Sequence, residues 1–293
     1  MDARTSRGRV ATRSVGLAVA GSAAVLLLSG CLRDFGEAVG GFGWPAGGIT
    51  DRSTRMYDMW IGSVVAALLV GLLVWGLIFW CLVRYRKRGE ELPPQTRFNL
   101  PMEVLYTIAP FLVIAVLFYY TVVVQNEVAA TDENPDVTVE VVAFKWNWQF
   151  NYRDGIGPDA GTVATTVGNS DLVPILVVPT GQVVRFELAA RDVVHSFWVP
   201  ELLFKRDVFP GNVRNAFELT IQVDKEGAYV GRCAELCGTY HATMTFEMRA
   251  VSPDRYQQYL SALQSGMSQP DALRSIGEEA FAVTTEPFDT SLS

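Results

Sequence analysis

The stretch "GRCAELCGTYHATM", residues 231–244, gathers two thiols, an imidazole and a thioether. Cys233, Cys237, His241 and Met244 follow the pattern C-x3-C-x3-H-x2-M, and the only other histidine, His195, stands 38 residues before Cys233. Thiolate, imidazole and thioether together point to copper, because soft sulfur suits Cu(I) and imidazole serves both oxidation states. Calcium and magnesium would ask for oxygen ligands instead. Outside the cell two nearby cysteines more often form a disulfide, but a disulfide leaves both histidines and Met244 unexplained. A zinc site of two cysteines and two histidines has no use for Met244, and finger-like spacing is absent. A mononuclear blue copper site uses one cysteine, two histidines and a weak methionine, so one thiol would be surplus. Two thiolates can each bridge two metals, with one histidine terminating each. The ligand count therefore fits a dinuclear copper centre better than these alternatives.

The run from Cys233 to Met244, with His195-Ser196 upstream, closely resembles the CuA motif of cytochrome c oxidase subunit II, and the likeness extends over roughly residues 57–260. The resemblance implies a dinuclear copper A centre. In it Cys233 and Cys237 bridge the ions, His195 and His241 terminate them, and Met244 is a weak axial ligand. The backbone carbonyl of Glu235 matches the other axial ligand, and its side chain is expected to reach a magnesium or manganese ion shared with subunit I. Trp146, in "FKWNWQFNY", matches the tryptophan that receives electrons from cytochrome c. Read from residues alone, Trp146 and Trp148 at alternating strand positions are equally a packing face. The preceding Phe144-Lys145 departs from the common pattern.

Glu103, in "NLPMEVLYTIAP", opens an apolar segment, where a carboxylate complements the helix dipole. At the cytoplasmic edge of a membrane it is also a proton-path candidate. The family motif E-x-x-W-T-x-x-P, here with Tyr106 in place of the tryptophan, implies the mouth of a proton pathway into subunit I. The implied activity is that of subunit II of an aa3-type cytochrome c oxidase, inactive alone. It takes electrons from cytochrome c and passes them to haem in subunit I for oxygen reduction coupled to proton pumping. The implied companions are subunit I, with haem a, haem a3 and CuB, and subunit III; no nucleic acid is expected.

These ligands need a scaffold and an address. Arg4, Arg7, Arg9 and Arg13 precede a short apolar stretch, which predicts a signal peptide over residues 1–30. Its end, Leu28-Ser29-Gly30-Cys31, resembles a bacterial lipobox, which predicts lipidation of Cys31. Residues 31–56 read as a flexible linker. Met59–Val83 and Val104–Val124 are uncharged blocks long enough to cross a bilayer, giving two transmembrane helices at 57–84 and 101–125. The link at 85–100 carries Arg86, Lys87, Arg88 and Arg97, with Arg84 just before it. By the positive-inside rule it is cytoplasmic, so both mature termini lie outside the cell membrane.

After this two-helix hairpin, residues 126–252 read as an all-β domain. Short alternating segments with Pro-Thr-Gly and Lys-Glu-Gly turns suggest an antiparallel sandwich or barrel, and the resemblance implies a cupredoxin-like fold. Residues 153–171 look too polar and glycine-rich for a strand and read as a surface loop. A short C-terminal helix with a tail fills 253–293, with no strong pattern beyond Gln269.

From Gln125 onward there are 23 Asp or Glu against 12 Lys or Arg, a net charge of −11. Such a surface would steer a basic partner. A lipidated subunit II with an insertion at 153–171 resembles actinobacterial oxidases, in which a membrane-bound multihaem cytochrome c of a bc1-type complex is the donor. Other classes fit less well. Subunit II of a quinol oxidase lacks the copper ligands, a copper-delivery lipoprotein needs no pair of spans, and nitrous oxide reductase needs many more than two histidines.

Overall fold

The computed structural model describes residues 40–287, apart from 46, 93, 132–133, 158 and 212–214. The signal peptide and Cys31 lie outside the described residues. By contact the chain divides into two compact units, one holding most of residues 57–122 and the other residues 48–56 together with 123 onward.

The first unit contains most of α1 (Asp51–Arg84) and α2 (Leu100–Ala129), 34 and 30 residues long. Most apolar side chains are exposed along α2 and, in α1, from Leu68 onward, whereas Tyr57 and Ile61 are buried. The exposed stretches suit segments that face lipid or other membrane chains rather than a core of their own. Pro110 lies inside α2. The start of α2 is capped: Asn99 Oδ1 accepts from Met102 N at 3.4 Å, and Glu103 Oε1 accepts from Asn99 N at 3.0 Å.

Helix α1 begins at Asp51, earlier than the span drawn at residue 57. Hydropathy marks where a helix becomes apolar, whereas capping marks where it starts. Thr50 N donates to Ser53 Oγ at 2.8 Å and Ser53 N to Thr50 Oγ1 at 2.9 Å, a reciprocal cap. The linker reading for 31–56 is thus corrected over its later part. Residues 40–43 form a 3-10 turn, and Thr50 makes a β-bridge to Ile221 in the β-domain. Asp51 Oδ1 accepts from Thr220 N at 3.0 Å.

Ten strands build two five-stranded sheets: β1 (Val137–Phe144), β2 (Asn147–Arg153), β3 (Thr162–Val167), β4 (Ile175–Pro179), β5 (Val183–Ala190), β6 (His195–Val199), β7 (Phe204–Val208), β8 (Asn215–Thr220), β9 (Gly227–Cys233) and β10 (Thr245–Val251). One sheet runs β3-β2-β1-β5-β8 and the other β4-β10-β9-β6-β7. Alternation puts Trp148, Phe150 and Tyr152 of β2 inward, with Phe186 of β5. They meet Phe197 and Phe246 from the facing sheet, as in the Trp148–Phe246 and Phe186–Phe197 ring pairs at 5.2 and 5.7 Å.

Two expectations change here. The sandwich is mixed, not wholly antiparallel, because β1 pairs parallel with β5 and β4 parallel with β10. The Pro179-Thr180-Gly181 turn sends the chain from one sheet to the other instead of closing a hairpin, so side-chain alternation survives while strand direction changes. The 153–171 segment also contains a strand, β3. Its "TVATTV" reads as polar by composition, but its β-branched residues suit an edge strand that leaves Thr162 and Thr165 in water and buries Thr166.

The end of the chain is more ordered than its composition suggests. Besides α3 (Pro253–Gln264), which buries Tyr256 and Tyr259 against Tyr152, there is a second helix, α4 (Gln269–Ser275). Residues 278–287 then run as a strap over β10. Wholly buried Glu247 accepts from Val283 N at 2.7 Å and from Thr284 N at 2.9 Å. Its ion-pair partner Arg249 donates to the carbonyls of Glu279 and Phe281. Removing one member of a buried pair strands the other's charge. Glu247→Ala is therefore expected to destabilise the β-domain by about 3–5 kcal/mol in denaturant unfolding and to release the strap to proteolysis.

Candidate metal centre

Strands β9 and β10 are antiparallel neighbours, and the loop joining them carries the ligand candidates. Its neck is closed by Cys233 N donating to Met244 O at 3.0 Å. Inside the loop, His241 N donates to Gly238 O at 3.1 Å and opens a 3-10 turn, His241–Thr243. Beside the neck, Ala234 N donates to Ser196 O at 3.0 Å and Cys233 pairs with Phe197. That places His195, the first residue of β6, against the loop.

The side chains converge. Cys233 Sγ and Cys237 Sγ lie 3.8 Å apart. Each sulfur faces its own imidazole, with His195 Nδ1 3.8 Å from Cys233 Sγ and His241 Nδ1 3.6 Å from Cys237 Sγ. Each also has one further neighbour: the Glu235 carbonyl at 3.2 Å from Cys233 Sγ, and Met244 Sδ at 3.7 Å from Cys237 Sγ. The donor atoms of His195, Cys233 and Cys237 all fall within 4.8 Å of one another. Both thiols, with Met244 and His195, are buried.

This donor set fits copper. Both cysteines are free, and their separation far exceeds a disulfide bond of about 2.05 Å. At metal–thiolate bonds of about 2.3 Å, points on either side of the Sγ–Sγ line lie within reach of both sulfurs. The protonation balance agrees. Burial opposes ionisation of Cys233, yet the hydrogen bond with His195 and those with backbone groups outweigh it and bring its pKa down to about 7. Burial, reinforced by the neighbouring Cys233 charge, pushes Cys237 up to about 12. Two adjacent buried thiolates thus oppose each other until a cation lies between them.

His195 is aimed by a residue that the sequence reading did not single out. Asp192 Oδ1 lies 2.7 Å from His195 Nε2. An Nε2–H given to the carboxylate leaves the Nδ1 lone pair facing Cys233, the carboxylate–histidine arrangement found behind metal ligands. Burial pulls the His195 pKa down, but the hydrogen bonds with Cys233 and Asp192 prevail and raise it. The Asp192 carboxyl is lowered, since the His195 bond and the amides of Lys145 and Val193 together outweigh the effect of burial. An acid three residues before a candidate histidine ligand was the available clue.

The other predicted residues are placed as follows. Glu235 contributes its carbonyl, while its side chain is exposed. Trp146 does not share a strand face with Trp148. It occupies the turn between β1 and β2, half-buried against the ligand loop, whereas Trp148 is wholly buried. The Trp148 ring lies 6.4 Å from that of His195, and its Nε1 donates to Met244 O at 3.5 Å. Glu103 belongs to the first turn of α2.

A β-sandwich with a sulfur- and imidazole-rich loop at one end of its strands defines a cupredoxin-like domain whose donor set fits copper. Residues 137–251 match the family model described as cytochrome C oxidase subunit II, periplasmic domain. The probable cytochrome c oxidase subunit 2 of Nocardia farcinica is 44% identical over 344 residues, spanning 98% of this chain and 90% of that protein. Cytochrome c oxidase subunit 2 of Mycobacterium tuberculosis is 40% identical over 328 residues, spanning 95% and 89%. The crystal structure of the periplasmic domain of subunit II from Bradyrhizobium japonicum aligns with 46% of this chain and 98% of its own, at 26% identity and a TM-score of 0.38. The chain belongs to the cytochrome c oxidase subunit II family. It is membrane-anchored by apolar helices and carries an extracytoplasmic domain, and its cysteine–histidine cluster fits a copper centre.

Asp192 orients His195 through Nε2, and an asparagine keeps an oxygen acceptor there, so Asp192→Asn is expected to leave the domain folded. It should weaken copper retention by roughly 10–100-fold in competition with a chelator.

Proposed function

We propose that this chain is the electron-accepting subunit of a proton-pumping aa3-type cytochrome c oxidase. In this reading Cys233 and Cys237 would jointly hold two copper ions, His195 and His241 would hold one each, and Met244 and the Glu235 carbonyl would add weaker contacts. One observation carries it: two unbonded, buried sulfurs, each facing a separate imidazole Nδ1 at 3.8 and 3.6 Å. The copper pair, when bound, supplies a one-electron couple whose charge is spread over two ions. The chain does the rest. The closed neck and the Asp192 contact fix the ligands, so little rearranges on reduction, and burial of the sulfurs keeps water away.

The donor is cytochrome c, free or as the multihaem cytochrome c of a bc1-type complex, drawn by the acidic extracytoplasmic charge. It docks over Trp146. A copper pair held there would take up one electron from the donor at a time, with no bond made or broken. The partners of this reading are subunit I, whose haem a would accept the electron and whose haem a3 and CuB would supply oxygen reduction, and subunit III. The Glu235 carboxylate reaches a magnesium or manganese ion shared with subunit I. Glu103, at the cytoplasmic start of α2, admits protons to subunit I. The basic 85–100 link faces the cytoplasm, both mature termini lie outside, and a lipid on Cys31 anchors the amino end.

The test is copper stoichiometry with EPR on the purified oxidase. The reading predicts two CuA-type coppers per chain and a hyperfine pattern of one spin shared by two nuclei. A single-nucleus pattern, with one copper per chain, would overturn the paired assignment. Met244→Leu should shift the reduction potential and retain both ions, whereas Cys233→Ser should abolish the shared-spin signal.

A further inference from the structure

Trp146 touches the ligand loop in a way that ligand assignments do not explain. Its ring stands edge-on to Tyr240, with centroids 4.8 Å apart and planes at 88°. Its other contact is backbone: a β-carbon added to Gly238 would lie 3.2 Å from both Cζ2 and Nε1 of the indole. Gly238 has φ +127°, a conformation that side chains rarely adopt. Its bare Cα lets the ring come this close. The indole Nε1 is buried without a hydrogen-bond partner, so on this side shape alone fixes the ring.

The two contact residues are informative. Gly238 follows Cys237 directly, and Tyr240 directly precedes His241. Cys237 Sγ and His241 Nδ1 face each other at 3.6 Å. Trp146 is therefore seated on the residues flanking both ligands of one half of the centre. On its far side, Lys145 N donates to Asp192 Oδ2 at 2.7 Å, which holds the turn in place.

We infer that Gly238 and Tyr240 form a seat for Trp146, and that the closeness of this seat sets the rate of electron uptake at the Cys237–His241 half of the copper pair. The inference rests on the proposed electron-receiving role of Trp146. Gly238 and Tyr240 are positioning residues: they neither bind the donor nor ligate copper through their side chains. A β-carbon at Gly238 must push the indole outward, and loss of the Tyr240 ring removes the wall that stops it tilting.

The experiment uses the intact oxidase and stopped-flow reduction by cytochrome c. It separates the donor-driven phase, measured at saturating donor, from the later copper-to-haem phase. Gly238→Ala, whose β-carbon would stand 3.2 Å from the indole, and Tyr240→Ala, which removes the facing ring, are both expected to slow the donor-driven phase measurably. Copper content, EPR and the copper-to-haem phase should stay unchanged, and Tyr240→Phe should restore the wild-type rate. Trp146→Phe separates the two readings. If it slows uptake while Gly238→Ala and Tyr240→Ala do not, the seat is refuted and the electron-receiving role stands. If Trp146→Phe leaves uptake unchanged, that role fails and the seat with it. Should Gly238→Ala lose copper, Tyr240→Ala alone decides, and a wild-type uptake rate there refutes the seat.

Discussion

Two thiols that could bond to each other are instead kept apart, and the rest of the domain can be understood from how this is done. The Cys233 N–Met244 O bond closes the loop between β9 and β10. Cys233 is anchored by its pairing with β6, while Cys237 sits within the loop itself. At 3.8 Å the sulfurs are not bonded to each other, yet they are near enough to share cations. Burial and mutual repulsion split their ionisation, one thiol going down to about 7 and the other up to about 12. Without a cation Cys237 keeps its proton beside Cys233, and a soft cation held between the sulfurs would let both ionise.

A site of this kind needs a floor that does not yield. Trp148, Phe197 and Phe246 interlock beneath the ligands, with Phe197 and Phe246 stacked at 4.8 Å. Gly231 of β9 lies against the Phe246 ring, where an added β-carbon would come within 2.2 Å. Close packing at this density transmits strain instead of absorbing it, so the His195 and Met244 positions are tied to the core. The carboxyl-terminal strap extends the same principle outward. Its clamp on β10 reaches Thr245, the residue after Met244, where Thr285 Oγ1 lies 3.2 Å from Thr245 Oγ1.

The sequence made the ligand set legible because four of its side chains fall within one loop and their chemistry is unusual in combination. The two apolar helices were legible because uncharged blocks of that length have few other uses. Other features left weaker traces for physical reasons. Asp192 is an ordinary acid until the fold places it behind His195. The start of α1 depends on a reciprocal Thr50–Ser53 cap, which hydropathy does not register. Parallel pairing of β1 with β5 leaves no mark in side-chain alternation, and β3 reads as loop because threonine counts as polar while its branched Cβ favours a strand. Trp146 and Trp148 look equivalent two residues apart, but a turn sends one toward the loop surface and the other into the core.

The central claim is that Cys233 and Cys237 act as a pair of metal-bound thiolates and not as a disulfide. Sulfur K-edge absorption on the intact complex, compared with a Cys233→Ser, Cys237→Ser double variant, tests this most directly. The account predicts a copper–thiolate pre-edge feature that disappears with the two cysteines, and no disulfide contribution from them. A disulfide feature lost in the double variant, with no copper–thiolate intensity in the wild type, would contradict it.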